Sequence, residues 1–143
     1  MFRELTFAAA LAALAAAGAQ AQTKAPLGPF ASGADQQAAM KAGTLTSEAL
    51  VREDLARIAA LDKAGPRLNS IIALNPHALA DARKLDAERK AGHVRGPLHG
   101  VPILLKDNIE SDDGTATTAG SLALKDNVTG RDAPLVRRPT DAG

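Results

Sequence analysis

Lys106 closes an apolar run, Val101-Pro102-Ile103-Leu104-Leu105, and is followed directly by Asp107 and Asn108. Burial of an ammonium disfavours its charged form. A lysine desolvated at a strand end and neutral near working pH takes up a proton, so general-base chemistry is one reading of Lys106. The other is a lysine that closes a strand and reaches solvent, and the local pattern alone favours it. Asp107 reads as a group that holds Lys106 or satisfies nearby backbone N–H groups, or as an ordinary solvated acid. His99 sits between two glycine-flanked turns in Gly96-Pro97-Leu98-His99-Gly100, with no partner carboxylate or serine in view, and reads as structural. Glu110, Asp112 and Asp113 are clustered, but their spacing does not fit a calcium loop, which needs acids at alternate positions followed by glycine and a distal glutamate. Solvated loop charge is the better reading. Cysteine is absent, which excludes a disulfide, a thiolate metal site and a cysteine nucleophile. Three histidines without an HExxH arrangement give a metal site little support, and no cofactor is expected.

The elements that must position Lys106 are read from caps and periodicity. Ser32 is an N-cap candidate with Asp35 in the first turn, for a short helix through Met40 that stops at Gly43. Thr46 is the next N-cap candidate. Leu50, Val51, Leu55, Ile58 and Leu61 then share one face of an amphipathic helix over 47–62, which Lys63-Ala64-Gly65-Pro66 ends. Leu68 to Leu74 is short, apolar and holds the β-branched pair Ile71-Ile72, which favours a strand. Asn75 is placed to cap a third helix with Pro76 at its first position, Asp86 and Lys90 forming an i,i+4 pair, and Gly92 as its end. Val101 to Leu105 reads as a second, buried strand, with Pro102 at its start or on an unpaired side. Strand, helix, strand predicts an α/β unit with a covered sheet.

The run Gly96-Pro97-Leu98-His99-Gly100-Val101-Pro102-Ile103-Leu104-Leu105-Lys106-Asp107-Asn108 resembles the opening motif of the amidase-signature family. The likeness continues in Thr117-Thr118-Ala119-Gly120-Ser121 and in Asp132-Ala133-Pro134-Leu135-Val136-Arg137-Arg138, and upstream in Leu45-Thr46-Ser47 and Leu68-Asn69-Ser70. It spans roughly 45–143. The resemblance implies the N-terminal part of that family's mixed-sheet α/β fold with flanking helices, left incomplete. It also implies hydrolysis of the carbon–nitrogen bond of a carboxamide, on a small-molecule or peptide amide, without metal. By the family's pattern Lys106 belongs to a Ser–Ser–Lys triad, in which the lysine takes a proton from a bridging serine that activates the nucleophilic serine. Backbone N–H groups of a glycine-rich loop stabilise the oxyanion. Both serines lie in a downstream Gly/Ser-rich segment that these residues do not contain. Ser47, Ser70, Ser111 and Ser121 stand in other contexts, and Ser121 reads best as a turn serine capping the next helix. Lys106 is therefore the one catalytic candidate, and the chain alone is expected to be inactive.

Residues 1–21 read as an export signal: Arg3, an Ala-rich apolar run from Leu5 to Gly18, and the cleavage site Ala19-Gln20-Ala21. The run is shorter than the roughly 20 residues a membrane span needs. A periplasmic or secreted protein follows, with no membrane association after cleavage. Residues 22–44 then form a lead-in with the short helix, and 45–143 a partial amidase domain. A net charge of +1 argues against a nucleic-acid partner, and export argues against a transamidating subunit that works on aminoacyl-tRNA. A non-catalytic exported binding protein derived from an amidase fragment is the rival reading. Tyr and Trp are absent and Phe occurs three times, so the core is built from Ala, Leu, Ile and Val and is thin. Pro139 is expected to end the last helix early and leave 140–143 loosely ordered.

Overall fold

The computed structural model describes residues 28–143. The export signal expected over 1–21, and the start of the lead-in, lie outside the described residues. Helix α1 spans Gly33–Lys41, α2 Ser47–Arg57, α3 Ala78–Lys90 and α4 Pro134–Asp141. A π-helical turn, Ile58–Lys63, extends α2, and a single 3₁₀ turn, Leu122–Leu124, lies between α3 and α4.

The helix starts follow from their caps. The Ser32 hydroxyl accepts the Asp35 N–H while the Asp35 carboxylate accepts the Ser32 N–H, a reciprocal capping box. The Thr46 hydroxyl accepts the Ala49 N–H and opens α2. The ends of α1 and α3 are built alike. The amide of Gly43 donates to Met40 and that of Thr44 to Ala39; the amide of Gly92 donates to Arg89 and that of His93 to Glu88. This double bond pattern needs a left-handed residue after the cap, and Gly43 and Gly92 supply it with φ of 70° and 83°.

Helices α2 and α3 pack on one another. The buried apolar side chains are few and small: Ala39, Met40, Leu50, Val51, Ala82 and Val136. The expected face of the 47–62 helix is therefore covered at Leu50 and Val51, but Leu61 at its far end is exposed. There the helix widens, the Ala64 amide donating five residues back to Ala59.

Neither expected strand forms, and the described residues contain helices but no strand. In 68–74 the cause is local. Asn69, and Arg67 just before the segment, hold left-handed backbone with φ of 50° and 53°, which an extended ladder does not tolerate. Asp62, which the helical pattern places off the apolar face, is buried and accepts from the Ser70 amide and hydroxyl at 2.5 and 2.7 Å. Lys63 Nζ donates to the Ile71 carbonyl at 2.6 Å, so adjacent residues of one helix end grip the returning chain. Residues 101–105 form no regular element and pair with no neighbour, and Ile103, Leu104 and Leu105 are 50%, 78% and 37% exposed. Apolarity measures a tendency to be covered; a strand also needs a partner for its backbone.

Three smaller expectations are corrected. Helix α3 begins at Ala78, because the Asn75 side chain accepts the His77 amide at 2.7 Å in a turn that precedes the helix. Asp86 accepts from the amides of Ser47 and Glu48 at 2.7 and 3.0 Å in place of pairing with Lys90, and so places a carboxylate on the N-terminus of α2. Helix α4 continues through Pro139 to Asp141. The proline forfeits one amide bond, to a carbonyl of the exposed Leu135. Beyond it the Thr140 hydroxyl donates to the Val136 carbonyl, and the Gly100 amide donates to the Gly143 backbone oxygen at 2.7 Å, so 140–143 are tied down.

Candidate active site

The segment that carries Lys106 leaves a tightly built junction. His99 is fully buried. Its Nδ1 accepts the Arg95 amide at 3.3 Å, which makes Nε2–H the donor to the Leu85 carbonyl at 2.9 Å. Its own carbonyl accepts from the Gln37 side chain at 2.7 Å and the Arg89 guanidinium at 2.8 Å. Both ring nitrogens are thus spent on backbone groups, and the residue anchors the loop between α1 and α3. At Gly100, φ is +77° and an added Cβ would stand 1.9 Å from the Ser47 hydroxyl, so this position needs glycine twice over. Ser47 is itself buried against Met40.

Beyond this anchor residues 102–106 are exposed, Lys106 among them. The expected desolvation is absent here, because Leu104 and Leu105 lie open to solvent beside it. Past Lys106 the chain turns, the Ile109 amide donating to the Lys106 carbonyl at 2.9 Å. Asp107 then gathers the next stretch. Its carboxylate accepts from the Thr118 hydroxyl at 2.5 Å, the Gly120 amide at 3.0 Å and the Thr118 amide at 3.3 Å. The Thr118 hydroxyl first, and then the Gly120 amide, hold the Asp107 carboxyl below its ordinary range. Of the sequence readings of Asp107, the one in which it satisfies backbone N–H groups is the one seen.

The acidic cluster is less solvated than expected. Glu110 is held in a two-point pair with Arg131, at 2.8 and 2.7 Å, and this guanidinium keeps its carboxyl low. Asp132 accepts the Asp112 amide at 2.8 Å, and Asp113 accepts from the Thr115 amide and hydroxyl. Residues 110–113 are thereby stitched to 131–133, at the start of α4. An open concavity of about 580 Å³ lies beside this seam, lined by Asn108, Ile109, Thr117, Ala119, Leu124 and Leu135 among others.

Folding thus unites three stretches, 96–108, 117–121 and 132–138, that are separate in sequence. No serine hydroxyl is hydrogen-bonded to Lys106 among the described residues. Ser47 is buried at the start of α2, Ser70 donates to Asp62, and Ser121 opens the 3₁₀ turn without a side-chain cap. Among the described residues no three His, Asp or Glu side chains gather as a metal site requires, and no helix is long and apolar enough to cross a membrane. Asp62, Asp86 and the Arg89–Gln37 pair were invisible to periodicity, since each acts on backbone or side chains brought close only by folding.

The amidase family model matches residues 49–143. A putative amidase of Schizosaccharomyces pombe is 43% identical over 104 residues, covering 73% of this chain and 17% of that protein. A glutamyl-tRNA(Gln) amidotransferase subunit of Halorhodospira halophila is also 43% identical, over 77% of this chain and 22% of its own length. The crystal structure of the peptide amidase from Stenotrophomonas maltophilia superposes with a TM-score of 0.77 at 54% identity, over 80% of this chain and 23% of that one. The chain therefore spans about a fifth of the length of these relatives.

Proposed function

The chain belongs to the amidase family, and from that premise we propose that it forms the first part of an exported hydrolase that cleaves a carboxamide, with Lys106 as the base of a Ser–Ser–Lys triad. What carries the reading is Lys106 at the end of the 96–106 run, with Asp107 and the 117–121 turn docked directly behind it. Length beyond these residues supplies the serine pair and the cover that Leu104 and Leu105 lack here. In this scheme Lys106 takes the proton of the bridging serine, which takes that of the nucleophile. The nucleophilic oxygen attacks the amide carbonyl, the carbon–nitrogen bond breaks as the nitrogen is protonated, and water then releases the acyl group. Each proton taken up by Lys106 in acylation returns to the leaving nitrogen, so the base is regenerated.

The substrate class is a small-molecule or peptide amide. The proposed export separates this reading from that of the glutamyl-tRNA(Gln) amidotransferase relative. Residues 28–143 on their own hold a base without its nucleophile and are expected to hydrolyse nothing. In the full chain, Lys106→Ala is expected to lower kcat on a peptide amide by about 10²–10⁴-fold. Unchanged turnover in that variant would remove Lys106 from the chemistry and the reading with it.

A further inference from the structure

We propose that Asp107 is the positioning residue for Lys106, fixing the chain that carries the base by locking it to the Thr117–Ser121 turn; this rests on the reading of Lys106 as the base. Between Val101, whose amide donates to Leu98, and Ile109, whose amide donates to Lys106, no backbone amide makes a backbone bond among the described residues. Lys106 is therefore carried on a stretch without a ladder, and its orientation must be set from one end or the other. The upstream end is fixed at Gly100. The downstream end is fixed at Asp107, whose carboxylate takes three donors from Thr118 and Gly120 and whose carbonyl accepts the Ala119 amide at 3.1 Å.

The turn is shaped for this. Ala119 and Gly120 both hold left-handed backbone, with φ of 49° and 74°. Their successive N–H groups both reach Asp107, the Ala119 amide its carbonyl at 3.1 Å and the Gly120 amide its carboxylate at 3.0 Å. A non-glycine residue keeps such a conformation only where its surroundings require it, and here the bonds to the carbonyl and carboxylate of Asp107 hold the turn. With the Thr118 hydroxyl and the Gly120 amide holding it below the ordinary range, the carboxylate stays ionised through neutral and mildly acid pH, and the lock stays closed. Asp107 touches no reacting atom in this scheme; it acts on the base through the chain.

The test compares kcat and KM for a peptide amide in the full chain and its variants. Asp107→Asn swaps an acceptor oxygen for an NH₂ that must oppose either the Thr118 amide or the Gly120 amide. It is expected to lower kcat by about 10–100-fold, the scale of a slightly misplaced catalytic group, with KM within about twofold. Thr118→Val removes the hydroxyl donor and should do the same, while Thr118→Ser restores it and should return kcat to within about threefold of wild type. If Asp107→Asn does not fold, the Thr118→Val and Thr118→Ser pair decides by the same criterion. Should Lys106→Ala abolish turnover while Asp107→Asn and Thr118→Val keep kcat, or change KM alone, the positioning role is overturned and the function reading stands. A Thr118→Ser variant as slow as Thr118→Val overturns it too. Persistent hydrolysis in Lys106→Ala, or none in the wild type, overturns the function reading and with it any role in positioning a base.

Discussion

In the junction of α1, α2, α3 and the 96–100 loop, polar groups from four segments meet one another. The His99 ring bonds Leu85 and Arg95, its carbonyl takes Gln37 and Arg89, and Asp86 closes the start of α2. In the stretch next along the chain, 101–105, backbone amides beyond Val101 find no backbone partner and the apolar side chains stand in solvent. The two regions are adjacent in sequence and come from one motif-like run. Their difference shows that hydrogen-bond closure, rather than hydrophobicity, decides which of them is organised within these residues. Leu104 is as apolar as any residue in the junction and is 78% exposed, while His99 is fully buried.

The comparison breaks most readily at Gly100. Gly100→Ala meets the Ser47 hydroxyl and a left-handed backbone at once, and is expected to cost about 3 kcal/mol in denaturant unfolding. A neutral result would mean that the junction is loosely packed. Asp62→Asn sharpens it by pH. Lys63 first, and then Ser70, hold the Asp62 carboxyl well below the ordinary carboxylate range. A carboxyl lowered in the folded state contributes stability that is fully present above its unfolded value of about 4 and fades as pH falls through the lower folded one. The stability gap between wild type and Asp62→Asn should therefore hold from about pH 7 to about pH 5 and shrink toward about pH 2 in urea titrations. A gap that does not change with pH would remove the charge from the account. The smallest effect is expected at Leu104→Ala, under about 0.5 kcal/mol for an exposed site in this chain. A loss in the range of about 2–5 kcal/mol typical of a buried leucine would make 101–105 a packed strand and end the contrast.

What the sequence discloses and what it hides divides along the same line. Caps at Ser32 and Thr46 and the stops at Gly43 and Gly92 are legible because their partners lie within a few residues. The amidase-like runs are legible because they are contiguous, and the family assignment follows from them. The strands fail because 68–74 and 101–105 are read by what they would bury and not by what they would pair with. Pro139 misleads in the other direction, since one forfeited bond on an exposed carbonyl does not end α4. Asp107 is readable only in part: an acid after Lys106 is plain, but its donors stand eleven and thirteen residues further on.

The bond from Gln37 to the His99 carbonyl joins positions 62 apart in the chain, whereas Asp62 reaches only eight or nine residues to Ser70 and Ile71. Closing the longer loop carries the larger entropic cost before any contact rewards it. The clamp at the end of α2 is therefore expected early in assembly and the seating of Gln37 late. Truncating Gln37 to Ala should speed unfolding in stopped-flow measurements while leaving the folding rate nearly unchanged, so that the slowest-formed tie is also the one that sets how long the native arrangement lasts.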